Sequence, residues 1–315
     1  MLGKNNEQKS YVFNLNKLKK FSFSKNSKII VWGNYLRDEL DDLKKKIQIP
    51  VYRIEDGFIR SIGLGSNLVK PASLVVDSRG IYYDTSRDND LKYYFDHLKI
   101  TPKQILEAKK LQELIINNNI SKYNCQPIIK PQWSPKNKKI ILIPGQVEDD
   151  ESIKYGALDI KTNLQLLERV RDLNPNSYIV YKPHPDVLAG NRKGIIEKNK
   201  VLKIANYFEE KASIISCINS CDEVHTITSL AGFEALIRKK KVCLYGNPFY
   251  KKISDFINKK KNFFFYKFIY LVFFKYQKII NKKKYTGILN KNLKYTIKSR
   301  SKILFLEKIL NFIKN

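Results

Sequence analysis

Short apolar runs alternate with amphipathic segments along most of this chain. In its first part, the apolar runs Ser27–Gly33 and Ile49–Gly57 flank the amphipathic segment 35–46, YLRDELDDLKKK. A strand, a helix and a second strand at this spacing predict a βαβ unit with parallel strands and a right-handed crossover. The segment Ser73–Asp84 alternates around a central Arg-Gly pair and predicts a β-hairpin, and the sequence from 90 to 119 predicts helix.

A second series of strands and helices follows residues 120–138, which are rich in Asn, Pro and Lys and predict a linker. Its predicted strands are 139–145, 177–185, 223–228 and 241–249, and its predicted helices are 163–173, 208–220 and 229–240. The whole pattern predicts an α/β fold of two Rossmann-like domains that face a cleft, with function in the loops at the carboxyl ends of the strands. The predicted units are residues 1–130, residues 136–250 and a helical tail, 251–315.

The charge composition leaves two interpretations open. The 315 residues include 59 Lys and Arg against 30 Asp and Glu, a net charge of +29. Such an excess suits a polyanionic partner, either nucleic acid or an anionic membrane. It also suits a coding sequence that favours Lys, Asn and Ile throughout, since the lysines are dispersed rather than gathered in one block.

The remaining composition excludes several classes of protein. Four cysteines are too few for a disulfide scaffold at this length. The first residues lack the apolar core of a signal peptide, and no run of about 18 uninterrupted apolar residues predicts a membrane span. We therefore expect a cytoplasmic protein.

Polar side chains with site chemistry follow the strands of the first half. Glu55 and Asp56 come directly after a predicted strand, and paired acids there either face solvent in a turn or serve a site, because their burial is costly. The next residues, FIRSIGLGS, contain Arg60 and several small residues. Such a loop can bring backbone amides close to an anion.

The strands of the second half end in similar chemistry. The acidic run 148–151 includes Asp150 and suits a general acid, a nucleophile or a metal ligand, or else a solvated first turn of a helix. His184 is held between two prolines, where it can bind a phosphate or simply end a strand. Thr228 and Ser229 precede a helix, so they are caps whose free amides can also seat an anion.

These motifs, taken together, resemble the capsule polysaccharide β-Kdo transferases of the KpsC/LipB type. The resemblance covers roughly residues 27–250 and rests on EDGFIRSIGLGS (55–66), GIYYD (80–84), GQVEDDESI (145–153), YKPHPDVLAGNRKG (181–194), EVHTITSLAGFEAL (223–236) and YGNPFY (245–250). It implies a GT-B-like architecture, and transfer of the sugar acid Kdo from CMP-Kdo, with retained β configuration, to a phospholipid-linked acceptor in capsule polysaccharide biosynthesis. It implies no metal and no cofactor, with CMP-Kdo as the donor substrate.

The resemblance also implies roles for the charged residues near the reacting centre. Asp150 would be the nucleophile that forms a glycosyl–enzyme adduct. Glu55 and Asp56 would lie beside the acceptor, one of them as acid or base. Arg60 and Arg192 would complement the negative charge of donor and product.

The remaining roles concern the nucleotide. His184, together with Lys182, would bind the phosphate of CMP and assist its departure. Ser229, with Thr228, would hold donor phosphate or carboxylate at the helix start, and Gln146 would line the same pocket.

The family's long form carries two such modules, whereas this chain carries one, which implies a single linkage type or a partner Kdo transferase. The aromatic and basic stretch Asn262–Ile280 has two interpretations, an interfacial segment on the anionic inner membrane or a core segment that crosses back to the first domain. The implied partners are CMP-Kdo and a lipid-linked glycan, with the protein peripheral at the inner membrane. The alternatives are a transferase for another CMP-activated sugar acid such as sialic acid, a protein that binds nucleic acid, or a degenerate scaffold; the acidic loops argue against nucleic acid.

Overall fold

The first β-sheet is mixed in strand direction. The computed structural model describes residues 16, 18, 23–24, 27–259 and 261–290. In it, β1 (Ile29–Trp32) and β2 (Val51–Asp56) are parallel and are joined by α1 (Arg37–Ile47), so the predicted βαβ unit is confirmed. Next in the sheet come β3 (Ser73–Asp77) and a strand from the far end of the chain, β9 (Gln277–Ile279), both in antiparallel pairs.

The predicted hairpin over Ser73–Asp84 is wrong. Both edges of β3 are already taken, by β2 and β9, so residues 81–84 cannot pair with it and form turns instead. The alternation that suggested a strand has another cause, because Tyr82 and Tyr83 are buried in the core that the two halves share. Tyr82 packs against Phe58 with the ring centroids 5.0 Å apart.

The helical sequence that follows forms two helices rather than one. α2 (Asp90–His97) ends before a second start signal at Thr101, and α3 (Pro102–Asn117) follows. The Thr101 side chain accepts from the amide of Gln104, whose own side chain accepts from the amide of Thr101. This capping box, with Pro102 in the first turn, favours a new helix at that point.

The second sheet is entirely parallel, as predicted. In spatial order its strands are β6 (Tyr207–Phe208), β5 (Tyr178–Lys182), β4 (Ile140–Pro144), β7 (Glu223–Thr226) and β8 (Lys241–Leu244). Its helices are α4 (Glu151–Gly156), α5 (Asn163–Leu173), α6 (Pro185–Leu188), α7 (Lys198–Leu202), α8 (Ile214–Ser220) and α9 (Leu230–Ile237). The chain leaves the central strand β4 first toward β5 and later toward β7, and a reversal of this kind opens a crevice at the carboxyl ends of the strands.

The segment after the second sheet crosses back to the first. It comprises α10 (Lys251–Asn258), α11 (Asn262–Tyr270), a π-helix (Leu271–Tyr276), β9 and α12 (Lys282–Leu289). The hydroxyl of buried Tyr276 donates to Asp77 Oδ2 at 2.7 Å, and β9 completes the first sheet. Of the two interpretations of this aromatic stretch, the observed packing supports the core segment that crosses back to the first domain.

Aromatic side chains join the two halves into one core. Phe58 from the first half packs against three rings: Phe233 of α9, Phe249 just before the crossing segment, and Phe273 within that segment. The ring centroids are 5.4 to 6.2 Å apart. Each such ring stabilises the fold by roughly 1.5–3 kcal/mol when it is buried. Among the described residues, no helix combines the length and apolar character that crossing a membrane requires.

Candidate active site

A cavity of about 1170 Å³ lies between the two sheets and is lined by both. The structure brings to it every residue that the sequence suggested for a site: Glu55, Asp56, Arg60, Gln146, Asp150, Lys182, His184, Arg192, Thr228 and Ser229. The volume suits a sugar nucleotide rather than a single small ion, since ligand pockets commonly measure about 300–1,000 Å³. The roles of these residues stay predictions.

Glu55 and Asp56 form the acidic wall of the first half, at the carboxyl end of β2, but their surroundings differ. Asp56 pairs with Arg60 Nε at 2.6 Å. Glu55 has no ion pair among the described residues, and burial, reinforced by the charge of Asp56, raises its pKa to about 7. Asp150, which lines the same cavity, adds to this rise.

The backbone beside Glu55 leaves room for the hydroxyl of Tyr83. Gly33, which follows β1, has φ of +54°, and a Cβ there would lie 2.7 Å from the hydroxyl of Tyr83 and 3.4 Å from Glu55 Oε2. Only glycine adopts this conformation without strain and leaves that space free.

Three amides of the glycine-containing loop 57–66 bond within the protein rather than facing an anion. The amides of Arg60 and Ser61 donate to the carbonyl of Lys122, and that of Gly63 donates to the carbonyl of Tyr123. The loop instead fastens the first half to the linker. Ser66 extends the connection by donating to Asp186 of the second half at 2.6 Å.

The acidic run 148–151 separates into four side chains with different partners. Glu148 accepts from the amide of Asn163 at the start of α5, and Asp149 pairs with Arg192 at 3.0 Å. Asp150 is the N-cap of α4 and accepts from both the amide and the hydroxyl of Ser152, at 2.9 and 2.7 Å. Two bonds to one oxygen hold this carboxylate in a defined position while it faces the cavity.

His184 presents one ring nitrogen to the cavity. Its Nδ1 accepts from the amide of Asp186 at 3.2 Å, which leaves the proton of the neutral ring on Nε2. Burial lowers the pKa of His184, against the opposing charges of Asp186 and Asp150. The side chain is therefore a neutral hydrogen-bond donor near neutral pH, suited to a leaving phosphate.

A network of hydrogen bonds fixes the start of α9. The side-chain amide of Gln146 donates to Thr228 Oγ1 at 3.0 Å, and its oxygen accepts from the amide of Thr228 at 3.0 Å. Ser229 is the N-cap, as predicted, and its hydroxyl accepts from the amide of Ala231. Gln146 thus acts on the position of Thr228, and the helix start faces the same cavity as His184.

Lys122 is a cavity residue that sequence reasoning missed. It lies in the linker, in a stretch without periodicity, and its amide donates to Glu234 of α9 at 2.9 Å. No local pattern distinguishes it from the many other lysines of the chain. Its place in the site follows only from contacts that join the two halves.

His225 stands apart from this cavity. It is buried in β7, bonded to Glu223 at 3.1 Å and to the hydroxyl of Tyr245 at 3.0 Å, with Cys243 nearby. These side chains are of types that bind metals, but Glu223 already pairs with Lys139 and Lys241. We therefore assign His225 to the core.

A sequence model of the family of capsule polysaccharide biosynthesis proteins matches residues 27–131 and 119–254. The chain belongs to this family. It is also 45% identical over 242 residues to the capsule polysaccharide modification protein LipA of Neisseria meningitidis serogroup A, and 41% identical over 224 residues to the lipopolysaccharide-processing protein LpsZ of Rhizobium meliloti. These matches cover 76% and 70% of this chain but 34% and 51% of the relatives, so the chain spans about a third of the length of LipA.

Two solved structures from the same family are also similar. The β-Kdo 2,7 transferase of Thermosulfurimonas dismutans KpsC is 33% identical, with a TM-score of 0.65 over 84% of this chain and 86% of that one. The β-Kdo 2,4 transferase of the same KpsC is 24% identical, with a TM-score of 0.70 over 83% and 85%, and shows a shared fold. The family resemblance read from the motifs is thereby confirmed.

Proposed function

We propose that this chain is a retaining β-Kdo glycosyltransferase, which takes Kdo from CMP-Kdo and adds it to a phospholipid-linked glycan in capsule polysaccharide biosynthesis. The observation that carries the proposal is the meeting of Asp150, His184 and Glu55 in one cavity between the two halves. Membership of the family and the likeness to a Kdo transferase support the class of sugar. A GT-B-like division at the linker, with residues 1–130 and 136–250 as the two domains, is part of the proposal.

In the first half-reaction, Asp150 attacks the anomeric carbon and CMP departs. Retention by double displacement requires a carboxylate held close to that carbon, and the two bonds from Ser152 hold Asp150. The Nε2–H of His184 donates to the departing phosphate. Amides at the start of α9, beside Thr228 and Ser229, add positive potential there.

In the second half-reaction, Glu55 takes the proton of the acceptor hydroxyl as that oxygen attacks the anomeric carbon of the adduct and the bond to Asp150 breaks. A pKa of about 7 suits a general base near neutral pH. Asp56 is the less suitable of the two, because it is paired with Arg60. Arg60 thus positions Asp56, and Glu55 handles the proton.

The location of the enzyme follows from its acceptor. A lipid-linked glycan lies at the membrane surface, so we propose a cytoplasmic protein that is peripheral at the inner membrane. The crossing segment carries exposed Phe263 and Phe274 among its lysines, at 53% and 45% exposure, and these can contact anionic lipid.

The test is turnover with defined substrates. We expect the purified chain to release CMP from CMP-Kdo in the presence of a synthetic Kdo-accepting glycolipid, and to elongate that glycolipid by a β-linked Kdo. CMP-sialic acid serves as the competing donor. Turnover of CMP-sialic acid in preference to CMP-Kdo would overturn the choice of sugar, and turnover of neither would overturn the proposed activity.

A further inference from the structure

Among the described residues, five cations other than histidine line the cavity, and three of them are already engaged by carboxylates. Arg60 pairs with Asp56 at 2.6 Å, Arg192 with Asp149 at 3.0 Å, and exposed Lys154 with Glu151 at 3.8 Å. Within the described part of the chain, Lys122 and Lys182 have no carboxylate partner. These two ammonium groups are thus the ones available to an anionic ligand without breaking an existing pair.

Lys182 lies toward one side of the cavity. Its ammonium is buried without a hydrogen-bond partner among the described residues, and burial lowers its pKa. The titratable groups that it feels are Cys217, Glu209 and Cys125, and neither Asp150 nor Glu55 is among them. Lys182 ends β5, two residues before His184, and we assign it to the nucleotide side of the site.

Lys122 lines the cavity beside the first-half wall, since its carbonyl accepts from the amides of Arg60 and Ser61. Its charge acts on Glu55 and on His184, and both of these groups also feel Asp150. Its ammonium has no hydrogen bond or ion pair within the described residues and lies 5.3 Å from the centre of the Tyr123 ring. Of the two cations among the described residues that line the cavity without a carboxylate partner, Lys122 is the one whose backbone bonds to the wall that carries Glu55.

The backbone of Lys122 is fixed to both halves at once. Its amide donates to Glu234 at 2.9 Å, and its carbonyl accepts from the amides of Arg60 and Ser61 at 3.0 and 3.2 Å. The anchored backbone limits the space that this ammonium can reach, so binding a ligand there requires less ordering of the main chain.

The proposed substrate creates a need for such a charge. A ulosonic acid carries its carboxylate on the anomeric carbon, the atom that Asp150 attacks. The sugar carboxylate and the attacking carboxylate approach the same carbon, so they repel each other. The repulsion is strong in a site from which water is excluded. A cation beside both offsets it, whereas a neutral aldose would need none.

From these observations we infer that Lys122 binds the carboxylate of the donor's sugar acid and so selects a ulosonate over a neutral sugar. The inference rests on the proposed function and names the residue that recognises its substrate class. It gives the two unpaired lysines separate roles: Lys122 binds the sugar carboxylate and Lys182 binds the nucleotide.

The test separates the sugar from the nucleotide. In Lys122→Met we expect the KM for CMP-Kdo to rise about tenfold or more, the loss typical of a charged hydrogen bond. The dissociation constant of CMP alone should stay within about twofold, because CMP lacks the sugar carboxylate. Lys122→Arg should recover part of the affinity for CMP-Kdo. Lys109→Met is the matched control, since Lys109 also lies over one tyrosine ring, at 5.2 Å, outside the cavity.

Several outcomes would overturn the inference. One is an unchanged KM for CMP-Kdo in Lys122→Met, and another is an equal weakening of CMP and CMP-Kdo, which would mark a nucleotide-binding or purely structural role. If Lys122→Met does not fold, Lys122→Arg is compared with wild type instead, by the KM for CMP-Kdo and the dissociation constant of CMP. If the wild type does not use CMP-Kdo, the proposed function fails separately, and binding of free Kdo to wild type and to Lys122→Arg then decides the role of Lys122.

Discussion

The two walls of the cavity hold their carboxylates in opposite ways. On the first-half wall, Glu55 lies in a poorly solvated position whose burial raises its pKa to about 7. On the second-half wall, Asp150 accepts two hydrogen bonds from Ser152 at the start of a helix. Burial makes the Glu55 carboxyl hold its proton more strongly, whereas two hydrogen bonds at a helix start hold the Asp150 carboxylate in place.

The difference teaches how one site can divide two half-reactions between its walls. The second-half wall, with Asp150, His184 and the start of α9, suits departure of the nucleotide. The first-half wall, with Glu55, suits activation of the acceptor. Each of the following changes tests that division on one wall while leaving the other intact.

The largest effect is expected for Asp150→Ala. Both half-reactions pass through this carboxylate, so we expect transfer to fall by about 10³-fold or more, as with loss of other nucleophiles. Initial rates of CMP release measure it. Asp149→Ala is the neighbouring comparison: its carboxylate pairs with Arg192 at the rim, and we expect a loss of about tenfold or less. Equal losses in the two variants would contradict the nucleophile.

Glu55→Gln should affect the second half-reaction alone. We expect steady-state transfer to fall by about 10²-fold, the usual contribution of a general base, while the first release of CMP persists as a burst. In wild type, kcat/KM for the acceptor should rise with pH through about 7, and the variant should lose that rise. A variant that loses the burst as well would show that the walls do not divide the reaction.

The same carboxyl should also cost stability at high pH. Its pKa in the folded protein is about 7, against an ordinary 4.5, so the folded state holds a proton that the unfolded state has lost. Glu55 therefore does not lower the free energy of unfolding of the wild type below about pH 4.5. It lowers that free energy as the pH rises from about 4.5 through 7. Relative to wild type, Glu55→Gln should raise the free energy of unfolding by about 1–3 kcal/mol more at pH 8 than at pH 5, by denaturant titration. An equal difference at both pH values would contradict the raised pKa.

The smallest effect is expected for Ser152→Ala. It removes the hydroxyl that donates to Asp150 but keeps the amide bond, so the carboxylate loses one of its two restraints. We expect kcat to fall by about threefold to tenfold, in line with one hydrogen bond. A loss as large as that of Asp150→Ala would mean that the serine itself takes part in the chemistry.

How far the sequence predicts this molecule differs between the halves for a physical reason. In the second half, β4 and β5 are apolar over most of their length and helices follow them, so local sequence carries much of the fold. In the first half, β9 arrives from about 200 residues away in an aromatic stretch, and its pairing displaced the expected hairpin. Nothing near Ser73 could have signalled that partner.

The site residues likewise differ in whether local sequence could predict them. Residues such as Glu55, Asp150 and His184 were found because they follow strands, where a parallel sheet gathers them. Lys122 could not be found in that way, since it follows no strand and owes its place to Glu234 and to residues 60–61. Arg60 was found, but its engagement by Asp56 was not, because an ion pair depends on side-chain geometry.

The most direct test of the central claim is the mass of the protein after incubation with CMP-Kdo in the absence of acceptor. In Glu55→Gln, whose second half-reaction is slowed, the account predicts one added Kdo residue, located on Asp150 by peptide mapping. An unmodified protein that nonetheless transfers Kdo, or an adduct on another side chain, would contradict it.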